Sequence, residues 1–538
     1  MKKKSASQSA PARRSPREGG FFNLRVLIGL FIVLAGVFLA LVGFGTFSAL
    51  GQAQPKHKIL GPMDVLGLPA GFDCSKIHEL GIDRQENLRA GGIMIACGQA
   101  QGGSATPIFA ALKQGIEKAL APLAFGAADV DLITGADISP HVTQSETYSL
   151  ANPDNPNQIV VTYNDSRDVF LNPINISGAS VSTDGGTTFT RLTTAQGHSP
   201  FSNTLGDPVA LYNSPTQTWF AIFLDIGCGG QGIGAYKSTT PWAPNRWTTH
   251  SCIHNGFSDD RESGYSDNNS ASPHFGNMYV SWNDFSDGGS LNVRFSTDNG
   301  VTWTQRQLAP ASPFIRDVQI TGDLVTGDVY VAGMDEGGGG LAGPRSNKIY
   351  RSTDGGNSWT NTYNGPNFSG PGTGLCSSNS YFATMFGTYW RHMGWGEPAA
   401  FNHVVSYVYA QHGAGADAGD VFYIRSTDSG VNFSTPLKLN TDTTTRPQWQ
   451  PNLSVSPAGT LFATWYDARE TGSCGAPGAN TPCYRMWARK SNDNGVSWLA
   501  DDMFSDVVTP LPAQLDPGIV DCYVGDYDYG SAILTKHV

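Results

Sequence analysis

Five times the chain repeats nearly the same eight residues: Ser182-Thr-Asp-Gly-Gly-Thr-Thr-Phe189, Ser296-Thr-Asp-Asn-Gly-Val-Thr-Trp303, Ser352-Thr-Asp-Gly-Gly-Asn-Ser-Trp359, Ser426-Thr-Asp-Ser-Gly-Val-Asn-Phe433 and Ser491-Asn-Asp-Asn-Gly-Val-Ser-Trp498. Recurrence at intervals of tens of residues means that one supersecondary unit is being arrayed. The chemistry of the phrase says which unit. Asp accepts backbone N–H groups, and Gly two residues later supplies a left-handed backbone at little strain, so the pair makes a tight turn. The closing Trp or Phe opens the next strand with apolar area to bury. Each copy therefore marks a hairpin in a small antiparallel sheet.

A second repeat runs ahead of the first. Gln158–Asp165, Trp219–Asp225, Met278–Asp284, Val329–Asp335 and Leu461–Asp467 are β-rich runs ending on Asp, and Val404–His412 is a sixth without the acid. Between Ser182 and Ser296 one hairpin phrase is missing, and Lys237-Ser-Thr-Thr-Pro-Trp242 reads as its worn remnant. With 64 Gly, 11% aromatic and only 15% charged residues, the composition suits many short strands joined by tight turns. The expectation is an all-β, six-bladed β-propeller of four-stranded antiparallel blades over residues 129–538. Gly525–Leu534 is either a closing strand, paired with Val130–Thr134, or the start of an incomplete seventh blade.

The eight-residue phrase resembles the Asp-box, Ser-x-Asp-x-Gly-x-x-Trp/Phe, of the sialidase-type (BNR-repeat) propellers. That resemblance implies an exo-α-sialidase-like glycosidase in which three arginines hold a substrate carboxylate, a Tyr–Glu pair is the nucleophile and an Asp is the acid/base. The family's Phe-Arg-Ile-Pro signature is absent; Pro313-Phe-Ile-Arg316 echoes it in a different repeat. In a four-stranded meander the Asp-box hairpin, between strands three and four, faces away from the end where second strands finish. The acids ending those strands, and charged residues just before each first strand, should share the opposite face.

On that face the candidate catalytic residues are Asp165, Asp260, Tyr466, Asp467 and Glu470, with Tyr523 and Tyr527 as other phenols. The candidate substrate-binding residues are Arg167, Arg261, Glu262, Arg316, Arg446 and Arg469. Guanidiniums give bidentate carboxylate binding, and a neighbouring carboxylate helps a phenol lose its proton. The competing reading is structural: the acids cap turns, and Asp–Arg neighbours neutralise one another on a solvated rim. A propeller without catalysis that binds glycan or protein through the same charged face is the alternative function.

The N-terminus differs in kind. Residues 1–20 form a basic tail, expected to stay cytoplasmic, followed within 21–50 by the apolar stretch Val26–Phe44, about 28 Å long as a helix and enough to cross a bilayer. It is either a signal anchor, which its length favours, or a signal peptide cleaved after Gly51-Gln-Ala53; both export the rest. Residues 51–128 are expected to be a stalk or cap with a short helix across Pro107–Leu123. Setting aside the six basic and one acidic residue of positions 1–20 leaves 28 basic and 44 acidic side chains, a net of −16, which argues against a nucleic-acid partner.

Eight cysteines suit an oxidising compartment. Sequence proximity pairs Cys74–Cys97, Cys228–Cys252 and Cys474–Cys483, leaving Cys376 and Cys522. No cofactor is required. The histidines show no metal spacing, although Asp259, Asp260, Asp267 or Asp284 could hold a structural Ca²⁺. Oligomeric state is not legible.

Overall fold

A computed structural model describes residues 66–68, 71–103, 117–118, 129–135, 137–376, 379–470, 483–511, 514–533 and 536–537. Six antiparallel sheets are built on the first strands Gln144–Asn152, Val209–Asn213, Asp259–Ser266, Ile315–Gly322, Glu397–Phe401 and Gln448–Val455. Each pairs outward in sequence order, as in blade three, where Met278–Asp284, Ser290–Ser296 and Thr304–Ala309 follow the first strand. The first strands lie side by side around an axis, from blade one through to blade six. The architecture is a six-bladed β-propeller. Second strands are buried on both faces between neighbouring blades; in Thr218–Asp225 every residue is buried. That explains why those runs read as continuous rather than alternating hydrophobicity.

Every Asp-box forms the hairpin between third and fourth strands, with one recurring set of bonds. In Ser296–Trp303, Ser296 Oγ donates to Asp298 Oδ1 at 2.8 Å, Gly300 N donates to Ser296 Oγ at 2.9 Å and Thr302 Oγ1 donates to Asp298 Oδ2 at 2.6 Å. The fifth residue is Gly with positive φ in all five copies, from 69° to 93°. At Gly495 an added Cβ would lie 1.8 Å from Tyr423 Oη. The remnant in blade two lacks the Asp and the Gly but keeps Ser238, whose Oγ accepts from Thr240 N at 3.1 Å, and its aromatic, Trp242, which packs 6.1 Å from Trp219. Asp428→Ala removes the bonds from Asn432 and Ser426 and should lower stability by about 1–2 kcal/mol, read by chemical denaturation, with ligand binding on the far face unchanged.

Register confirms that the boxes and the second-strand acids lie at opposite ends. Met278 pairs with Ser296 and Asp284 with Ser290; Leu461 pairs with Ser491 and Asp467 with Arg485.

The ring closes through Gly525–Ile533 rather than through a seventh blade. Ser149 N donates to Tyr529 O at 2.8 Å and Tyr529 N to Thr147 O at 2.6 Å, a parallel pairing with the first strand of blade one. On its other side Asp528 meets Gln450 and Tyr466 of blade six. Residues 130–134 are not the pairing partner; Leu132 and Ile133 instead pack in one apolar cluster with Ile533.

The cap differs from expectation as well. Its described helix is Leu88–Ala96, begun by Asn87, whose side chain accepts from Ala90 N. Most of Pro107–Leu123 lies outside the described residues, but Glu117–Lys118 is a strand paired with Val507 and Val508. An open sheet edge there overrides local helical spacing. Residues 1–65, with the apolar stretch, lie outside the described residues. Among the described residues no helix is long and apolar enough to cross a membrane.

Cys74–Cys97 and Cys228–Cys252 form disulfides, and so does the unassigned pair Cys376–Cys522. Cys483 is also disulfide-bonded; its expected partner, Cys474, lies outside the described residues.

Candidate functional site

At the end opposite the Asp-boxes, four first strands break register, between Ser145 and Tyr148, Asp260 and Ser263, Asp317 and Gln319, and Trp449 and Asn452. A β-bulge bends a strand and re-aims the side chains at its rim. Glu146, Arg261 and Gln450 sit in these bulges with φ of 54°, 54° and 52°, and Asp207 ahead of blade two matches them at 54°. Left-handed backbone at non-glycine residues persists only where the surroundings enforce it. Here it brings polar side chains of several blades to the axis.

What they meet there is the cap. Glu86, just ahead of helix Leu88–Ala96, inserts its carboxylate between Arg261, which bonds it through Nη1, and Arg316, whose Nε lies 3.0 Å from Glu86 Oε1. Arg391 donates to the Glu86 backbone carbonyl and pairs with Asp526, its Nε 2.9 Å from Oδ1. Asp260 accepts from Glu86 N at 3.0 Å and from Asn87 Nδ2 at 2.6 Å, and binds Arg316 Nη1 at 2.9 Å. Arg316 also lies 3.4 Å from Glu336. Tyr381 donates its hydroxyl to Glu336 Oε2, and Trp395 Nε1 donates to Oε1 at 2.8 Å. The Arg261 guanidinium sits 5.0 Å from the Trp395 ring centroid and 4.6 Å from that of Tyr527. Arg261, Arg316, Glu86, Asp260 and Glu336 have side chains at most 1% exposed.

Of the sequence candidates, the structure brings Asp260, Arg261, Glu262 and Arg316 together here. Neither carboxyl oxygen of Glu262 meets a hydrogen-bond donor among the described residues. Tyr527 stacks on Arg261 and Tyr523 on Arg391 at the same cluster; the remaining candidates go elsewhere. Asp165 pairs with Arg167 at 3.0 Å and Arg191 at 2.8 Å. Arg469 pairs with Asp467 at 2.7 Å and Asp501 at 2.8 Å. Glu470 pairs with Arg485 at 2.7 Å rather than with Tyr466, whose hydroxyl donates to Asp528 at 2.7 Å. Arg446 lies half-buried in the loop before blade six. Asp165, Asp225, Asp284, Asp335 and Asp467 each accept the backbone N–H two residues on; for them the turn-capping reading holds.

Of the Ca²⁺ candidates, Asp259 and Asp284 gather with His254. Asp260 is taken up by the cap, and Asp267 by Ser272 and Asn269.

Sequence reasoning missed Glu86, Glu336, Tyr381, Arg391 and Asp526. Arg391 and Tyr381 belong to an insertion between blades four and five that contains the small sheet Gly374–Leu375, Ala383–Phe386 and Tyr389–Arg391, so no repeat pointed to them.

Burial dominates the acids around the axis. It pushes Asp317 up to about 8 and, against the pull of Arg261 and Arg316, Glu86 up to about 7. Glu146, Asp207 and Glu262 stand well above the carboxylate range through burial reinforced by neighbouring acids. Glu336 goes the other way: burial alone would raise it, but Arg316, Tyr381, Arg345 and Trp395 together hold it below the usual value. The raised acids keep protons that the unfolded chain releases near pH 4. For Glu86 and Asp317 that stabilisation is complete below about pH 4 and is lost as pH rises through about 7 to 8. The box acids Asp298, Asp428 and Asp493, held at about 2 with help from bonds to their own loops, act oppositely at the acid end. The melting temperature should therefore peak near pH 5 and fall by several degrees towards pH 9, a loss on the order of a few kcal/mol. A melting temperature that climbs over that interval would contradict a proton-holding axis.

No family model and no curated protein matches this sequence. Among solved structures, it is similar to an α-L-arabinofuranosidase of Fusarium graminearum in complex with arabinobiose, at 12% identity and TM-score 0.32, over 47% of this chain and 66% of that one. It is similar to an α-L-arabinanase of Penicillium chrysogenum at 14% identity and TM-score 0.32, over 50% and 70%. An ulvan lyase of a polysaccharide lyase family aligns at 12% identity and TM-score 0.39, over 68% and 86%.

Proposed function

We propose that this protein is an exported glycan-active propeller, a glycoside hydrolase that recognises a carboxylate-bearing sugar, nominally an exo-α-sialidase. One observation carries the reading: Arg261, Arg316 and Arg391 gather on Glu86, beside a Tyr381–Glu336 hydrogen bond that shares Arg316. In this reading Glu86 stands in for a substrate carboxylate and leaves when substrate enters. Three guanidiniums then hold the sugar's carboxylate. Tyr381 passes its proton to Glu336 and attacks the anomeric carbon, the phenol nucleophile recognised among glycosidases. Asp317, its carboxyl pushed up to about 8 by burial, is suited to protonating the departing oxygen. Disulfides belong to an oxidising compartment, and residues 21–50 tether the chain to the exporting membrane.

The second reading, a binder without catalysis, is favoured by the internal neutralisation of the cluster and by its closure to solvent, Arg316 being 0% exposed. Hydrolysis of a fluorogenic sialoside separates the two. Glu86→Gln should raise turnover about tenfold or more by weakening the internal ligand, and Tyr381→Phe should abolish it. Turnover by neither the natural protein nor Glu86→Gln above the Tyr381→Phe level retires the hydrolase.

A further inference from the structure

On the same face as the arginine cluster, between blades six and one, lies a cavity of about 370 Å³, a size suited to a small ligand. Tyr389, Tyr466 and Tyr484 line it, all half-buried. Behind them Trp390 packs 5.2 Å from Tyr466 and 5.0 Å from Tyr484. Trp390 takes φ of 57°, an outlying backbone state for so bulky a residue and one that marks positions held by their surroundings.

Asp528 sits at the inner end. Its Oδ1 accepts from Thr147 N at 3.2 Å and Thr147 Oγ1 at 2.7 Å, and its Oδ2 from Gln450 Nε2 at 3.2 Å and Tyr466 Oη at 2.7 Å. Those four bonds use the carboxylate's acceptor positions. The Tyr466 proton is thus committed to Asp528, and its oxygen is left as an acceptor for an incoming hydroxyl.

The lining selects the ligand class. Glu146 and Asp528 line the cavity and no Lys or Arg does, among the described residues, so an anion is disfavoured. Phenol rings offer flat apolar faces with polar edges, which complement the C–H face and hydroxyl rim of a sugar. We propose that this cavity binds a neutral sugar ring, stacked on Tyr389, Tyr466 and Tyr484, with one hydroxyl donating to Tyr466 Oη. The site stands without the hydrolase reading, yet it adjoins the arginine cluster: Tyr523 lines the cavity, and the Arg391 guanidinium lies 4.7 Å from its ring centroid.

The test is saturation-transfer NMR of the purified protein with lactose, maltose and cellobiose. Saturable transfer to at least one disaccharide is expected, weakened about tenfold or more by Tyr484→Ala and kept within about threefold in Tyr484→Phe. If Tyr484→Ala does not fold, Tyr389→Ala, at the end of the Phe386–Tyr389 hairpin pairing, takes its place. Tyr381→Phe, which should abolish sialoside hydrolysis, is expected to leave this binding intact, so failure of either reading is seen separately. Absence of saturable transfer from all three sugars, or equal transfer in the natural protein and the alanine variant, overturns the proposal.

Discussion

Replacing Cys376 and Cys522 together by alanine is expected to remove about 5 kcal/mol of stability and to free the closing segment. The two residues are separated by 146 positions, the longest loop among the described disulfides. Chain-entropy stabilisation grows with loop length, and a loop of 24 such as Cys228–Cys252 is worth about 3 kcal/mol. The bond joins the insertion that supplies Tyr381 and Arg391 to the strand-like end that supplies Tyr523, Asp526 and Asp528. Arg391 N also donates to Cys522 O at 3.0 Å. Chemical denaturation reads the loss, and limited proteolysis should cut near Gly525 in the variant before it cuts any blade. An unchanged midpoint and digestion pattern would show that the ring is held by packing alone.

Arg316→Ala is expected to cost about 3–5 kcal/mol, the range for removing one partner of a buried ion pair. Its guanidinium reaches Glu86, Asp260 and Glu336, all at most 1% exposed, and it rests 4.9 Å from the Phe314 ring centroid. Without it, three carboxylates face one another across the axis, and protonation becomes the main relief. The loss should therefore be larger at pH 8 than at pH 5, which separates this variant from a simple packing defect. Arg316→Lys recovers one charge but not the planar fork that spans three acceptors, so it should recover less than half of the loss. Equal denaturation midpoints for the alanine variant at the two pH values would contradict the charge arrangement.

The scaffold was readable because its hairpins are local. Ser296, Asp298 and Gly300 bond within one loop, so eight residues carry the whole signal, and their opposition to Asp284 follows from counting strands. The working face was readable only in part. Asp260, Arg261, Glu262 and Arg316 were found because they stand at the starts of first strands. Asp165, Asp467 and Arg469 lie at the same end, where second strands finish, but their side chains are satisfied within their own turns and neighbouring strands.

The bulges that aim Glu146 and Arg261 inwards leave no mark in hydrophobic pattern, since a bulge adds a residue without altering composition. Glu86 contacts Arg261 across 175 positions and belongs to no repeat. Nothing along the chain distinguishes it from any other cap acid. The sequence places Glu470 near Tyr466 as its partner. In the fold Tyr466 bonds Asp528, 62 positions away, because the closing segment threads between blades six and one.

That threading sets an order of events during synthesis. Thr147 and Asp528 bond across 381 positions, so the inner edge of blade one waits, unpaired on one side, until the segment carrying Asp528 has been synthesised. Contacts of such long sequence span form slowly. The five blades completed in the meantime have the shape of an unclosed collar, with aromatic and acidic surface open at the seam. A chaperone that guards this seam until it closes would match the need the topology creates.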